Sequence, residues 1–104
     1  MTHLEAVKAI VHFGDERAEA FSVLLTATQS EIIYSVNEND VRIVLDKVIN
    51  HELDIDELEM WAQLLELRED IDTQKVEGVL FALGDPKQIG ELTMLKLKQL
   101  KQIL

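Results

Sequence analysis

Twenty carboxylates and three histidines are the groups of this 104-residue chain that could hold a metal or move a proton, and their spacing decides between those uses. Asp54-x-Asp56 and Asp70-x-Asp72 have the opening of a calcium loop, in which alternate carboxylates converge on one hard cation. The sixth position is then Glu59 or Lys75, where the loop needs glycine. The twelfth is Leu65 or Ala82, where it needs a bidentate glutamate, so neither pair opens an EF-hand. His3, His12 and His51 lack the short spacing of zinc ligands, and with no cysteine the chain has neither thiolate nor disulfide. Ser22, Ser30 and Ser35 sit in no nucleophile elbow, and no glycine-rich phosphate loop occurs. The residues predict a binding protein with no enzymatic activity, cofactor or metal.

The carboxylates do form a row. Over 54–70, Leu58, Trp61, Ala62 and Leu65 mark an apolar helix face, while Asp56, Glu59, Gln63, Glu66 and Asp70 step by three and four along another. Two readings stand for this stripe. It is the solvated face of a surface helix, or it docks Lys and Arg side chains of a basic partner and accelerates their encounter. Like charges at these spacings cost helix stability, and the face carries no lysine to relieve them, which gives weight to docking. Glu52 and Glu69 adjoin the stripe and extend the candidate partner-binding set. Trp61, between Leu58 and Leu65, is expected in the core. Tyr34, in an irregular stretch before a polar loop, is either a half-buried tyrosine or an aromatic anchor for the partner.

The positioning elements follow from caps and periods. Thr2 caps a helix over 2–12 with Leu4, Val7, Ile10 and Val11 as its stripe, ended by Gly14. A second helix starts at Asp15, with Ala18, Phe21, Leu25, Thr28 and Ile32 along one row. Residues 31–36 are β-branched and aromatic. They fit a last helical turn, an extended connector or a short strand, and helix or connector is favoured because no second strand presents itself as a partner. Asn39 caps a third helix over 40–51, with Val41, Val44, Leu45 and Val48 inward. Asp54 or Asp56 caps the central helix and Asp72 the next, where Val76, Val79, Leu80 and Leu83 recur. Gly84-Asp-Pro86 stops that helix with a left-handed glycine and a proline. Thr93 caps a last helix with Leu97, Leu100 and Leu104 inward and Lys96, Lys98 and Lys101 outward. The sum is an all-α fold, a compact bundle of five or six short helices in one domain over 1–104.

Charge sets the class of partner. With 20 acids, 10 bases, a net charge of −10 and a pI near 4.6, the chain is repelled by nucleic acid and by anionic membrane. From Asp46 to Asp72 ten acids face two bases, whereas from Pro86 onward four lysines outnumber one acid. No segment reaches the ~20 apolar residues of a membrane-spanning helix, and the start lacks a signal-peptide pattern, so a cytoplasmic location is expected.

The segment Glu57-Leu-Glu-Met-Trp-Ala-Gln-Leu-Leu-Glu-Leu-Arg-Glu-Asp-Ile71, followed by Leu83-Gly-Asp-Pro-Lys-Gln-Ile-Gly-Glu-Leu-Thr93, resembles a pattern found in small acidic bacterial proteins. Some of these resemble immunity proteins of contact-dependent growth inhibition and related polymorphic toxin systems. The resemblance covers residues 45–95, rests on helix-cap and core positions, and marks no residue as catalytic. It implies neutralisation of a cognate toxin, often a basic nuclease, by one-to-one binding in the cytoplasm, by a monomer or weak homodimer. The Asp-x-Tyr-Tyr signature of colicin-nuclease immunity proteins is missing, so the contacts of that family do not carry over. The Asp-Ser-Leu attachment motif of acyl carriers is missing as well. The alternative from another class is a small structural or regulatory subunit that binds a host complex through apolar faces, its charge serving solubility.

Overall fold

The computed structural model describes residues 1–85 and 93–104, and among them the chain is helical, with six α-helices and one minimal strand pair. Caps fix most helix starts. Thr2 Oγ1 accepts from the Glu5 amide at 3.1 Å and Glu5 Oε1 accepts from the Thr2 amide at 3.1 Å, a reciprocal box that opens α1 (His3–Val11). Asn37 and Asp40 form the same box at the start of α3 (Glu38–Ile49), so the cap is Asn37 rather than Asn39. Asp54 precedes α4 (Ile55–Leu67) in extended geometry without a side-chain cap bond. Thr93 Oγ1 accepts from the Lys96 amide at 3.2 Å and starts α6 (Met94–Ile103).

Helices α1 and α3 end alike, and in neither does glycine take the left-handed position. Phe13 has φ +50° and His51 has φ +63°. The Phe13 and Gly14 amides return to Ile10 and Ala9 carbonyls, and the His51 and Glu52 amides to those of Val48 and Lys47. These are Schellman closures, and each non-glycine residue held there costs about 1 kcal/mol. Gly14, the expected stop, therefore lies one residue beyond the left-handed position that closes α1. Gly84 also departs from expectation: it is the last residue of α5 (Glu77–Gly84), without positive φ. Its value is close approach, since a Cβ there would meet Gln63 Cγ at 3.2 Å, and its carbonyl accepts from Gln63 Nε2 at 2.7 Å. Pro86, Ile89 and Leu92 lie outside the described residues.

Two further expectations are corrected. In α2 (Arg17–Thr26) the inward residues are Ala20 and Leu24, whereas Ala18, Phe21 and Leu25 face out and Thr28 and Ile32 lie beyond the helix. Residues 31–36 do find a strand partner: β1 (Tyr34–Ser35) runs parallel to β2 (Ile71–Asp72). The Ile33 and Val36 amides reach the Asp70 and Asp72 carbonyls at 2.8 Å and lengthen this ribbon. Consequently α4 stops at Leu67, and Asp72, instead of capping a long helix, accepts from the Gln74 amide at 2.9 Å to start the 3-10 turn Gln74–Val76.

One cluster of buried apolar side chains draws on each of the six described helices, with Val7, Ile10, Leu24, Val44, Leu58, Leu65, Leu80 and Leu97 among them. Trp61 lies at its centre, as its position between Leu58 and Leu65 foretold. Its Nε1–H is shared between the Ile10 and Val11 carbonyls at 3.2 and 3.0 Å. Those carbonyls belong to the last turn of α1, where intrahelical donors run out. The indole thus joins α4 to the end of α1.

Candidate protein-binding surface

The stripe read from the sequence divides in the structure. Asp56 and Glu66 are exposed on α4, Glu59 is half-buried beside them, and Glu52 and Glu69 are exposed at either end of the helix. None of these five carboxylates forms an ion pair among the described residues. Burial first, then the Glu77 carboxylate, hold the Glu66 carboxyl above its ordinary pKa. Both glutamates line an open groove of about 710 Å³ between α4 and α5, floored by Gly78 and flanked by Phe81. Two carboxylates sharing a groove disfavour each other's charge, so an incoming cation is favoured there.

Asp70 does not belong to the stripe. It follows the end of α4 and is fully buried, gripped by Arg68 Nε and Nη2 at 2.9 and 2.6 Å and by His3 Nε2 at 2.7 Å. Burial pushes its carboxyl up. The hydrogen bonds from Arg68 and His3, with the Arg68 charge, outweigh that and hold its pKa below the usual carboxylate range. Its oxygens are held by donors within the chain, so it is not part of the exposed stripe.

Tyr34 is likewise occupied. Its hydroxyl donates to Asp40 across both carboxylate oxygens at 3.1 and 2.9 Å, and His12 Nε2 meets Asp40 Oδ1 at 2.7 Å. The rings of His12 and Tyr34 stand edge to face at 6.4 Å. Burial, then the Asp40 carboxylate, push the phenol up to about 12. The half-buried reading of Tyr34 is the one that the geometry matches. His3 and His12, set nine residues apart on α1, thus each tie that helix to a buried carboxylate flanking the β1–β2 ribbon. These ties span 67 and 28 residues of sequence, and no local pattern announces them. Among the described residues no three His, Asp or Glu side chains converge to hold a metal ion, and no helix is long and apolar enough to cross a membrane.

A second surface escaped the sequence reading. Helix α2 packs on α1 and α4 on α5. Between α2 and α4 this leaves a cleft of about 290 Å³ lined by Phe13, Phe21, Glu57, Met60, Trp61 and Leu64. Phe21 is 41% exposed and Met60 67%, and the helical period carries the same faces on to Leu25 at 85% and Leu67 at 79%. Of these four, Phe21 and Met60 stand at the cleft itself. The signal available in the sequence was Met60 and Leu67, which stand on α4 outside both the core row and the acidic row.

No family model, no curated protein and no solved structure matches the chain.

Proposed function

We propose that this protein is an immunity protein, which binds a cognate basic toxin, a nuclease domain by preference, and neutralises it in the cytoplasm. The acidic helical surface of α4 covers the toxin's active or substrate-binding cleft and excludes the anionic substrate. Inhibition comes from occupancy, with no chemistry on the inhibitor's side. The observation that carries this reading is the set of carboxylates Asp56, Glu59 and Glu66 along α4, with Glu52 before it and Glu69 after it, none of them ion-paired among the described residues. Carboxylates left without counter-charges raise the encounter rate with a basic cleft and repel acidic competitors.

Charge reversal tests it. Glu59→Lys together with Glu66→Lys should lower the association rate with the basic partner by about tenfold or more at low ionic strength, with the helical circular dichroism unchanged. An unaltered association rate removes the stripe from the interface.

The exposed apolar residues Phe21, Leu25, Met60 and Leu67 favour a second reading, a structural or regulatory subunit seated in a larger complex through its apolar faces. That reading predicts binding nearly indifferent to salt, whereas the inhibitor's binding weakens steeply as salt rises.

A further inference from the structure

The apolar cleft between α2 and α4 has features that core packing does not account for. Its floor includes Phe13, an aromatic residue held at φ +50° where glycine would sit without strain. The strain is kept in place from outside: Lys47 Nζ donates to the His12 and Phe13 carbonyls at 2.8 and 3.2 Å, and Arg17 Nη1 to those of Phe13 and Gly14 at 3.3 and 3.0 Å. Arg17 also stacks on the Phe13 ring, 4.0 Å from its centroid. The left-handed turn itself closes α1, as the one at His51 closes α3; what Arg17 and Lys47 add is a fixed position for the Phe13 ring in the cleft lining.

Charge identifies the occupant. Residues 1–67, which carry α1 to α4, hold fourteen acids against four bases, so the whole net charge of −10 resides there. Of those four bases, Arg17 and Lys47 are turned onto backbone carbonyls. Glu57 lines the cleft itself, and Asp56 precedes it in the first turn of the same helix. A second copy would bring a like field to the same place, whereas a basic segment neutralises it. The shape, an apolar trough between two helices, suits a third helix laid along it.

We propose that this cleft is the anchor site for a basic amphipathic helix of the partner protein. One bulky apolar side chain of that helix enters the pocket over Trp61, its neighbours a turn away rest on Leu25 and Leu67, and its Lys and Arg side chains reach Glu57 and Asp56. The proposal rests on the reading of the protein as a binder of a basic toxin and supplies the buried contact that slows dissociation, where the acidic stripe supplies the rate of association.

A synthetic peptide of about four helical turns tests it, with leucine on one face and lysine elsewhere, beside a scrambled peptide of the same composition. Trp61 is the only tryptophan and lies in the cleft wall, so its emission reports occupancy. The patterned peptide should change that emission and bind at least about tenfold more tightly than the scrambled one. The double variant Phe21→Ser, Met60→Ser, at exposed positions, should lose that advantage with its circular dichroism and thermal midpoint unchanged. Equal binding of the two peptides overturns the proposal, as does undiminished binding by the double variant. A wild-type dimer in sedimentation equilibrium that the double variant dissolves also overturns it, by assigning the cleft to a second copy. The two levels fail separately. Full protection against the toxin by the double variant removes the cleft and leaves the inhibitor standing, whereas peptide binding without any neutralised toxin does the reverse.

Discussion

At the residue scale, the polar interior rests on two carboxylates, each surrounded by donors from distant parts of the chain. Asp40 closes the capping box of α3 by accepting from the Asn37 amide, accepts from Tyr34 and meets His12, so it joins α1, β1 and α3. Tyr34 is the only tyrosine, which makes its titration readable by ultraviolet absorbance. The phenolate band should rise with a midpoint near pH 12, and Asp40→Asn should bring that midpoint down toward the ordinary value of 10. Because the folded-state pKa is the raised one, the stability tied to the neutral phenol is whole below pH 10. It is lost as pH climbs from there through 12. Asp70 runs the opposite way. Its folded-state pKa is depressed, so its contribution is present above the ordinary carboxylate value of 3.8 and vanishes as pH falls through the lower folded value. Asp70→Asn leaves Arg68 and His3 without their anion and should cost about 3 kcal/mol in a neutral-pH urea melt. The variant's acid limb should be correspondingly flatter. Neither carboxylate could be singled out among twenty from the sequence, because burial and pairing arise from partners tens of residues away.

At the element scale, what the sequence revealed depended on how sharply apolar and polar faces were separated. In α3 and α4 the inward rows Val41, Val44, Leu45, Val48 and Leu58, Trp61, Ala62, Leu65 were legible because polar residues occupy the other faces. In α2 two apolar rows compete, Ala20 and Leu24 against Ala18, Phe21 and Leu25, and a period alone cannot choose between them. Burial against α1 chooses the first. Leu24→Ala should therefore destabilise the protein by about 2–4 kcal/mol, and Leu25→Ala by less than about 0.5, as thermal or urea unfolding will register. The β1–β2 ribbon was invisible for a different reason. Two residues per strand are too few to show alternation, and Ile71 and Asp72 read equally well as a helix cap. Its formation shortens α4 and removes Asp70 from the exposed face, so one misread element carried one misread site residue with it.

At the scale of the molecule, an all-helical body carries its net negative charge on residues 1–67, and four of those carboxylates stand on α4, the helix that walls the apolar cleft. The fold class and the sign of the surface were readable from composition and caps. The cleft was not, because it arises where α2 and α4 part to pack on different neighbours. Long-range steering by the negative field, combined with the proposed apolar anchor in the cleft, predicts a divided salt response. Between about 50 mM and 500 mM NaCl the association rate should fall by about tenfold or more, while the dissociation rate changes by less than about threefold. Stopped-flow Trp61 fluorescence can follow both.

The most direct test of the central claim is capture from the source cells with the tagged protein at low and high salt, followed by expression of whatever is retained. A basic protein held at low salt, which arrests growth when expressed alone and is harmless when co-expressed with this chain, is the predicted result. Retention of a housekeeping complex with equal strength at both salts, or of nothing beyond further copies of the chain, would contradict the account. The carboxylates of α4 would then be a solvated face.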